Sequence, residues 1–178
     1  IDRAYHNSPQ KYVDGLKDLG VGVPLDLPFV GKGEPIIPQP NSKKRYWSKT
    51  DLAWMSIGYV TQLTPIHTLT FYNGIANNGR MVKPRFVKAE KDNGIIVREF
   101  PTEVIREKMC SQHTLDDIHD ILEKVVSKGL GKRAGNGGKL FKVSGKTGTA
   151  QMAQAGGKGY HSGTPRYMVS FCGYYPSE

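Results

Sequence analysis

One stretch of this chain could do chemistry: Val143-Ser144-Gly145-Lys146-Thr147-Gly148-Thr149-Ala150-Gln151, a lysine set among hydroxyls and glycines. Two physical readings compete for it. One is a phosphate-cradling loop, because Gly145-Lys146-Thr147 matches the close of the Walker A pattern. That loop needs another glycine five residues before Gly145, so that backbone N–H groups can wrap the phosphates, and a helix directly after the lysine. Leu140 stands at the first of these places, and Gly148 interrupts the second. The other reading is a strand that borders a cleft. Side chains alternate along a strand, so Lys146 and Gly148 share one face while Thr147 and Thr149 share the other. Gly148 lets a substrate backbone lie close, and Lys146 offers charge to an anionic group. An exposed N–H on such an edge can pair with an extended peptide or donate to a developing oxyanion.

The same residues carry a resemblance. Lys146-Thr147-Gly148 is similar to the third signature of penicillin-binding proteins and serine β-lactamases. Extended to Ser144-Gly145-Lys146-Thr147-Gly148-Thr149-Ala150-Gln151, it looks like the transpeptidase version, which favours Lys-[Ser/Thr]-Gly-Thr-Ala-Gln. Ser56-Ile57-Gly58-Tyr59, Leu63-Thr64-Pro65-Ile66, Ile75-Ala76-Asn77-Asn78-Gly79 and Pro84 follow one another upstream. They resemble the helix and loop that precede this strand in class B penicillin-binding proteins. Gly58-Tyr59 looks most like the division-associated branch. The resemblance spans roughly the whole chain.

It implies a serine β-lactamase/D,D-peptidase-like transpeptidase fold, α/β (α+β), with a mainly antiparallel sheet flanked by helices. Residues 1–178 would be the C-terminal portion of a single transpeptidase domain, truncated at both ends. The parent enzyme would cross-link peptidoglycan by acylating a serine with a stem peptide, and β-lactams would trap that serine. By resemblance, Lys146 helps bind the substrate carboxylate and tunes proton traffic, and Thr147 and Thr149 offer hydroxyls to that carboxylate. Gly148 lines the groove, and the Thr149 backbone N–H forms half of an oxyanion hole. No cofactor or metal is implied. The implied partners are stem peptides, β-lactams and cell-division membrane proteins, on the extracytoplasmic (periplasmic) side of a membrane whose anchor is not in this chain.

Departures from the family pattern matter here. Many relatives have glycine where Val60 stands and glutamine where His67 stands; both lie away from the reacting centre in the family and read as lineage variation. No Ser-x-Asn triplet occurs, and the one SxxK match, Ser8-Pro9-Gln10-Lys11, has polar flanks and reads as a surface helix start. A nucleophilic serine must face its lysine one turn away on a buried helix, so Ser8 is not expected to be the nucleophile. The chain alone is expected to be inactive. The alternatives are a P-loop-like nucleotide-binding domain and a non-catalytic module binding cell wall or another anionic polymer.

The positioning elements are legible from pattern. Apolar residues at helical spacing predict a helix over residues 11–19 closed by Gly20, and five prolines make residues 21–47 an irregular crossing. A short helix is expected from Ser48 or Thr50 toward Gly58. Thr64-Pro65 predicts an N-cap followed by a proline at the first helical position, with Asn77-Asn78-Gly79 as a left-handed stop. Residues 85–90 and 95–100 are expected as strands around Asp92-Asn93-Gly94. Thr114 with Asp117 is expected to cap a helix whose stripe is Leu115, Ile118, Ile121, Leu122 and Val125. A glycine-rich loop over residues 129–138 then leads to a strand over 139–144, and Tyr167 opens a final apolar strand. A second loop, over residues 156–163, is expected to be mobile.

Composition narrows the classes. The net charge of +9 favours an anionic partner, yet the basic residues are scattered and no aromatic-and-basic ladder marks nucleic acid. Neither the two cysteines nor the five histidines fall in metal-ligand spacing. No apolar run reaches bilayer length.

Overall fold

The computed structural model describes residues 1–29, 31, 33–43, 46–135, 141–154, 159–160 and 163–177. Contacts divide these into two units, Ile1–Gln112 and His113–Glu178.

In the first unit, α1 (Asp2–Tyr5) leads to α2 (Pro9–Asp18). The second helix ends as expected. Gly20 takes φ +91, the Val21 N–H reaches Leu16 O at 2.9 Å and the Gly20 N–H reaches Lys17 O at 2.9 Å, a Schellman stop. A Cβ on Gly20 would lie 2.7 Å from Met81 Cε, so the turn also needs glycine for space. α3 (Asp51–Ser56) follows, then α4 (Pro65–Ala76). Asn78 supplies the left-handed residue, φ +53, and the Gly79 N–H closes on Gly74 O at 2.8 Å. At the other end of α4, Thr64 is the N-cap but caps no backbone N–H with its side chain. Its hydroxyl instead meets His67 Nδ1 at 2.6 Å, because an imidazole at the third helical position competes for it. Val60 adopts φ +57, a left-handed conformation costly for a β-branched residue; the sequence reading treated it as a neutral difference.

Short strands complete this unit: β1 (Met81–Val82), β2 (Ala89–Asp92), β3 (Ile95–Glu99) and β4 (Val104–Arg106). β1 pairs antiparallel with β4 and β2 with β3. The hairpin turn is the expected one, with Asn93 at φ +49 and Gly94 at φ +87. The strand expected over residues 85–90 is shorter and later. The ladder runs back only to the Phe100 N–H on Lys88 O, at 3.0 Å. Val13, Leu25, Leu27, Leu52, Met55, Ile75, Met81 and Met109 form the core.

In the second unit, α5 (Gln112–Ser127) starts two residues before Thr114, which is therefore inside the helix rather than its cap. Ser111 precedes it, a residue equally suited to a helix start. Its buried stripe is Leu115, Leu122 and Val126, while Ile121 is exposed; the expected stripe was turned by one position at that end. α6 (Lys132–Gly135) leads toward β5 (Ser144–Gln151), which pairs antiparallel with β6 (Tyr167–Tyr174) in register from Ser144↔Tyr174 to Gln151↔Tyr167. The strand expected over 139–144 is displaced: residues 141–143 are not strand, and β5 begins at Ser144. Positions 136–140 of that strand and its leading loop lie outside the described residues, as do 156–158 and 161–162 of the loop expected to be mobile. The mixed α/β class with antiparallel sheets is the expected one. No helix among the described residues is long and apolar enough to cross a membrane.

Candidate functional site

The lysine motif lies within one continuous strand, β5. A phosphate loop would place Lys146 at the mouth of a helix; here the strand runs on to Gln151, and the nucleotide-binding reading falls. Directly opposed residues of an antiparallel pair point to the same face. Lys146 therefore shares a face with Cys172, and Thr147 and Thr149 share the other with Phe171 and Val169.

The hydrogen-bonding direction follows from one contact. The Met152 N–H donates to Arg166 O at 2.8 Å, and these two residues continue the register of the strand pair. In an antiparallel ladder, positions that bond across alternate with positions that do not. Met152, Ala150, Gly148 and Lys146 thus bond toward β6, and Thr147 and Thr149 direct their N–H and C=O groups to the opposite edge. That edge has no partner strand among the described residues. Lys146 is exposed and its Nζ donates to Thr147 O at 2.8 Å, folded across this same edge. Two outward N–H groups about 7 Å apart, two threonine hydroxyls and one ammonium group are what the strand offers to an anionic, extended ligand.

The glycines hold this strand against its neighbour. Gly145 faces Gly173 in a non-hydrogen-bonded pair, where the backbones come closest. A Cβ at Gly145 would stand 2.5 Å from Phe171 Cζ, 2.7 Å from Cys172 O and 2.9 Å from Gly173 Cα. At Gly148 a Cβ would meet the Ser170 hydroxyl at 2.5 Å, a flexible obstacle. Room for a substrate was the sequence-based reason for Gly148; on the face where a Cβ would stand, the neighbouring strand uses that room. Burial pushes the Cys172 thiol up, partly opposed by the Gly173 backbone, so beside Lys146 it remains a neutral thiol.

Sequence reasoning missed one group. Ser144 is fully buried, 2.5 Å from the Ser177 hydroxyl, and Tyr174 Oη lies 2.8 Å from His119 Nδ1 on α5. Strand alternation put Ser144 on the face of Lys146, but nothing in the sequence paired it with residues of α5 and β6. Ser8, in the other unit, is the N-cap of α2, with its carbonyl accepting the Lys11 N–H at 3.0 Å; it precedes the helix rather than facing Lys11 from within it.

A family model described as the penicillin binding protein transpeptidase domain matches residues 2–178. The chain is 29% identical over 173 residues to penicillin-binding protein PbpB of Mycobacterium tuberculosis, covering 93% of this chain and 24% of that protein. It is 31% identical over 166 residues to penicillin-binding protein H of Bacillus subtilis, covering 90% and 22% respectively. The chain thus spans about a quarter of the length of these curated relatives. Among solved structures, penicillin-binding protein 3 of M. tuberculosis complexed with ampicillin matches with TM-score 0.75 and 26% identity over 96% of this chain and 37% of that one. Penicillin-binding protein 2B of Streptococcus pneumoniae matches with TM-score 0.76 over 99% of this chain and 28% of that one, at 22% identity, a likeness of fold. A strand carrying Lys-Thr-Gly-Thr-Ala-Gln with its edge amides turned outward, in a chain matched nearly end to end, leads to one assignment: this chain belongs to the penicillin-binding protein transpeptidase domain family.

Proposed function

We propose that the full-length protein carrying this chain is a peptidoglycan D,D-transpeptidase working through an acyl-serine intermediate, and that β5 is one wall of its groove. The observation that carries the reading is the outward Thr149 N–H, beside two threonine hydroxyls and the Lys146 ammonium. In the reaction, a serine oxygen outside this chain attacks the carbonyl of a D-Ala-D-Ala stem peptide, and the carbonyl oxygen takes on negative charge. The Thr149 N–H donates to that oxygen; removing one such donor costs about two to three orders of magnitude in rate. The terminal D-Ala leaves with a proton, and an amine of a neighbouring strand then takes the acyl group from the serine. Lys146 and the hydroxyls of Thr147 and Thr149 hold the terminal carboxylate, with Gly148 between them.

β-Lactams are ligands in this reading, consistent with the ampicillin complex of a relative and the aztreonam complex of the same protein. The domain works outside the cytoplasm in a membrane-anchored protein, and its Gly58-Tyr59 pair leans toward cell-division partners. The test is labelling of the full-length protein by a fluorescent penicillin. Covalent labelling that falls about a hundredfold or more in Lys146→Ala, and no labelling of this chain alone, are expected. A full-length protein that takes no label contradicts the reading.

A further inference from the structure

Ser144 is the most deeply placed polar residue of β5, fully buried and on the face that carries Lys146 two residues later. Its register partner is Tyr174, as Cys172 is that of Lys146. Ser177 stands 2.5 Å from its hydroxyl. Tyr174 in turn reaches His119 on α5, with Oη to Nδ1 at 2.8 Å and the rings edge to face at 5.7 Å and 80°. Burial pushes the Tyr174 phenol up, and a hydrogen bond from Ser144 pulls the other way. The phenol therefore keeps its proton, and its oxygen and His119 Nδ1 share one hydrogen bond. Four side chains, from α5, β5, β6 and the segment after it, form one chain of hydrogen bonds.

Such a chain demands satisfaction at every link, which an alanine at 144 would not. It is not needed to pair the strands. Eight register pairs and the Gly145–Gly173 contact already do that. What it adds is a fixed setting of β5 against α5 at the end where Lys146 emerges.

We propose that Tyr174, with His119 and Ser144, is a positioning residue for the acyl-transfer groove. The hydroxyl chain ties β5 to α5 and so sets the height at which Lys146 and the Thr149 N–H stand. This rests on the transpeptidase reading above. Catalysis is sensitive to such settings, since small misplacements from remote changes cost orders of magnitude in rate.

The test uses the full-length protein and a time course of labelled-penicillin uptake that separates non-covalent Kd from the acylation rate constant. Tyr174→Phe is expected to slow acylation about tenfold while Kd stays within about twofold, with little change in thermal midpoint. His119→Asn, whose amide offers both a donor and an acceptor near the place of Nδ1, is expected to acylate at the unvaried rate, whereas His119→Leu slows as Tyr174→Phe does. Tyr174→Phe and His119→Leu acylating at the unvaried rate would overturn the proposal. So would equal losses in both His119 variants that track their thermal midpoints. Full labelling of the unvaried protein with silent variants sinks this inference alone; no labelling at all sinks the transpeptidase reading and takes this with it.

Discussion

Two strand pairs in this chain are built on opposite principles. β2 and β3 are joined by Asn93-Gly94, both left-handed, and nearly every residue of the two strands is exposed. Their pairing is written in the turn. β5 and β6 meet across a long connection, and their register is held by side chains, or by their absence, at Gly145 and Gly173. The first pair tolerates what its faces carry. The second cannot shift by a residue without driving a side chain into backbone. A strand that must present amides at fixed places requires the second kind of construction.

The comparison can be broken most forcefully at Gly145. A methyl there meets two backbone atoms within 2.9 Å, so Gly145→Ala forces the strands apart, and a loss of about 3 kcal/mol is expected in denaturant unfolding. A loss below about 1 kcal/mol would mean that the close contact does not hold the register. Gly94→Ala strains only a left-handed turn residue with open space around its Cβ, so about 1 kcal/mol is expected. A loss at Gly94 equal to that at Gly145 would erase the distinction between the pairs.

The smallest effect lies outside both pairs and gauges burial alone. His67 is buried, its Nε2 without a hydrogen-bond partner among the described residues. Burial lowers its pKa, opposed by the charge of Glu34 and by the Val23 backbone. The unfolded chain therefore binds a proton that the folded chain resists. Its contribution is fully present above the ordinary histidine value near 6.5 and is lost as pH falls below it. Unfolding midpoints measured at pH 7.5 and pH 5.5 are expected to differ more in the unvaried chain than in His67→Gln; equal differences would refute the assignment.

Legibility followed the same division. α4 could be read at both ends because Thr64-Pro65 and Asn78-Gly79 act locally, and the β2–β3 turn for the same reason. The alternation of Lys146 and Thr147 was readable from strand geometry, and the family from the octapeptide. The pairing of β1 with β4 was not, since two residues opposite three leave no period to detect. Nor was the His119–Tyr174–Ser144 chain, whose members share no local signal.

In the proposed reaction the Thr149 N–H faces the reacting carbonyl rather than β6. Proline at that position deletes the N–H, and because the group points away from the ladder no inter-strand bond is lost. Penicillin acylation of the full-length protein carrying Thr149→Pro measures this directly. The expected rate is lower by about two to three orders of magnitude in a protein that still unfolds cooperatively. An acylation rate matching that of the unvaried protein would contradict it.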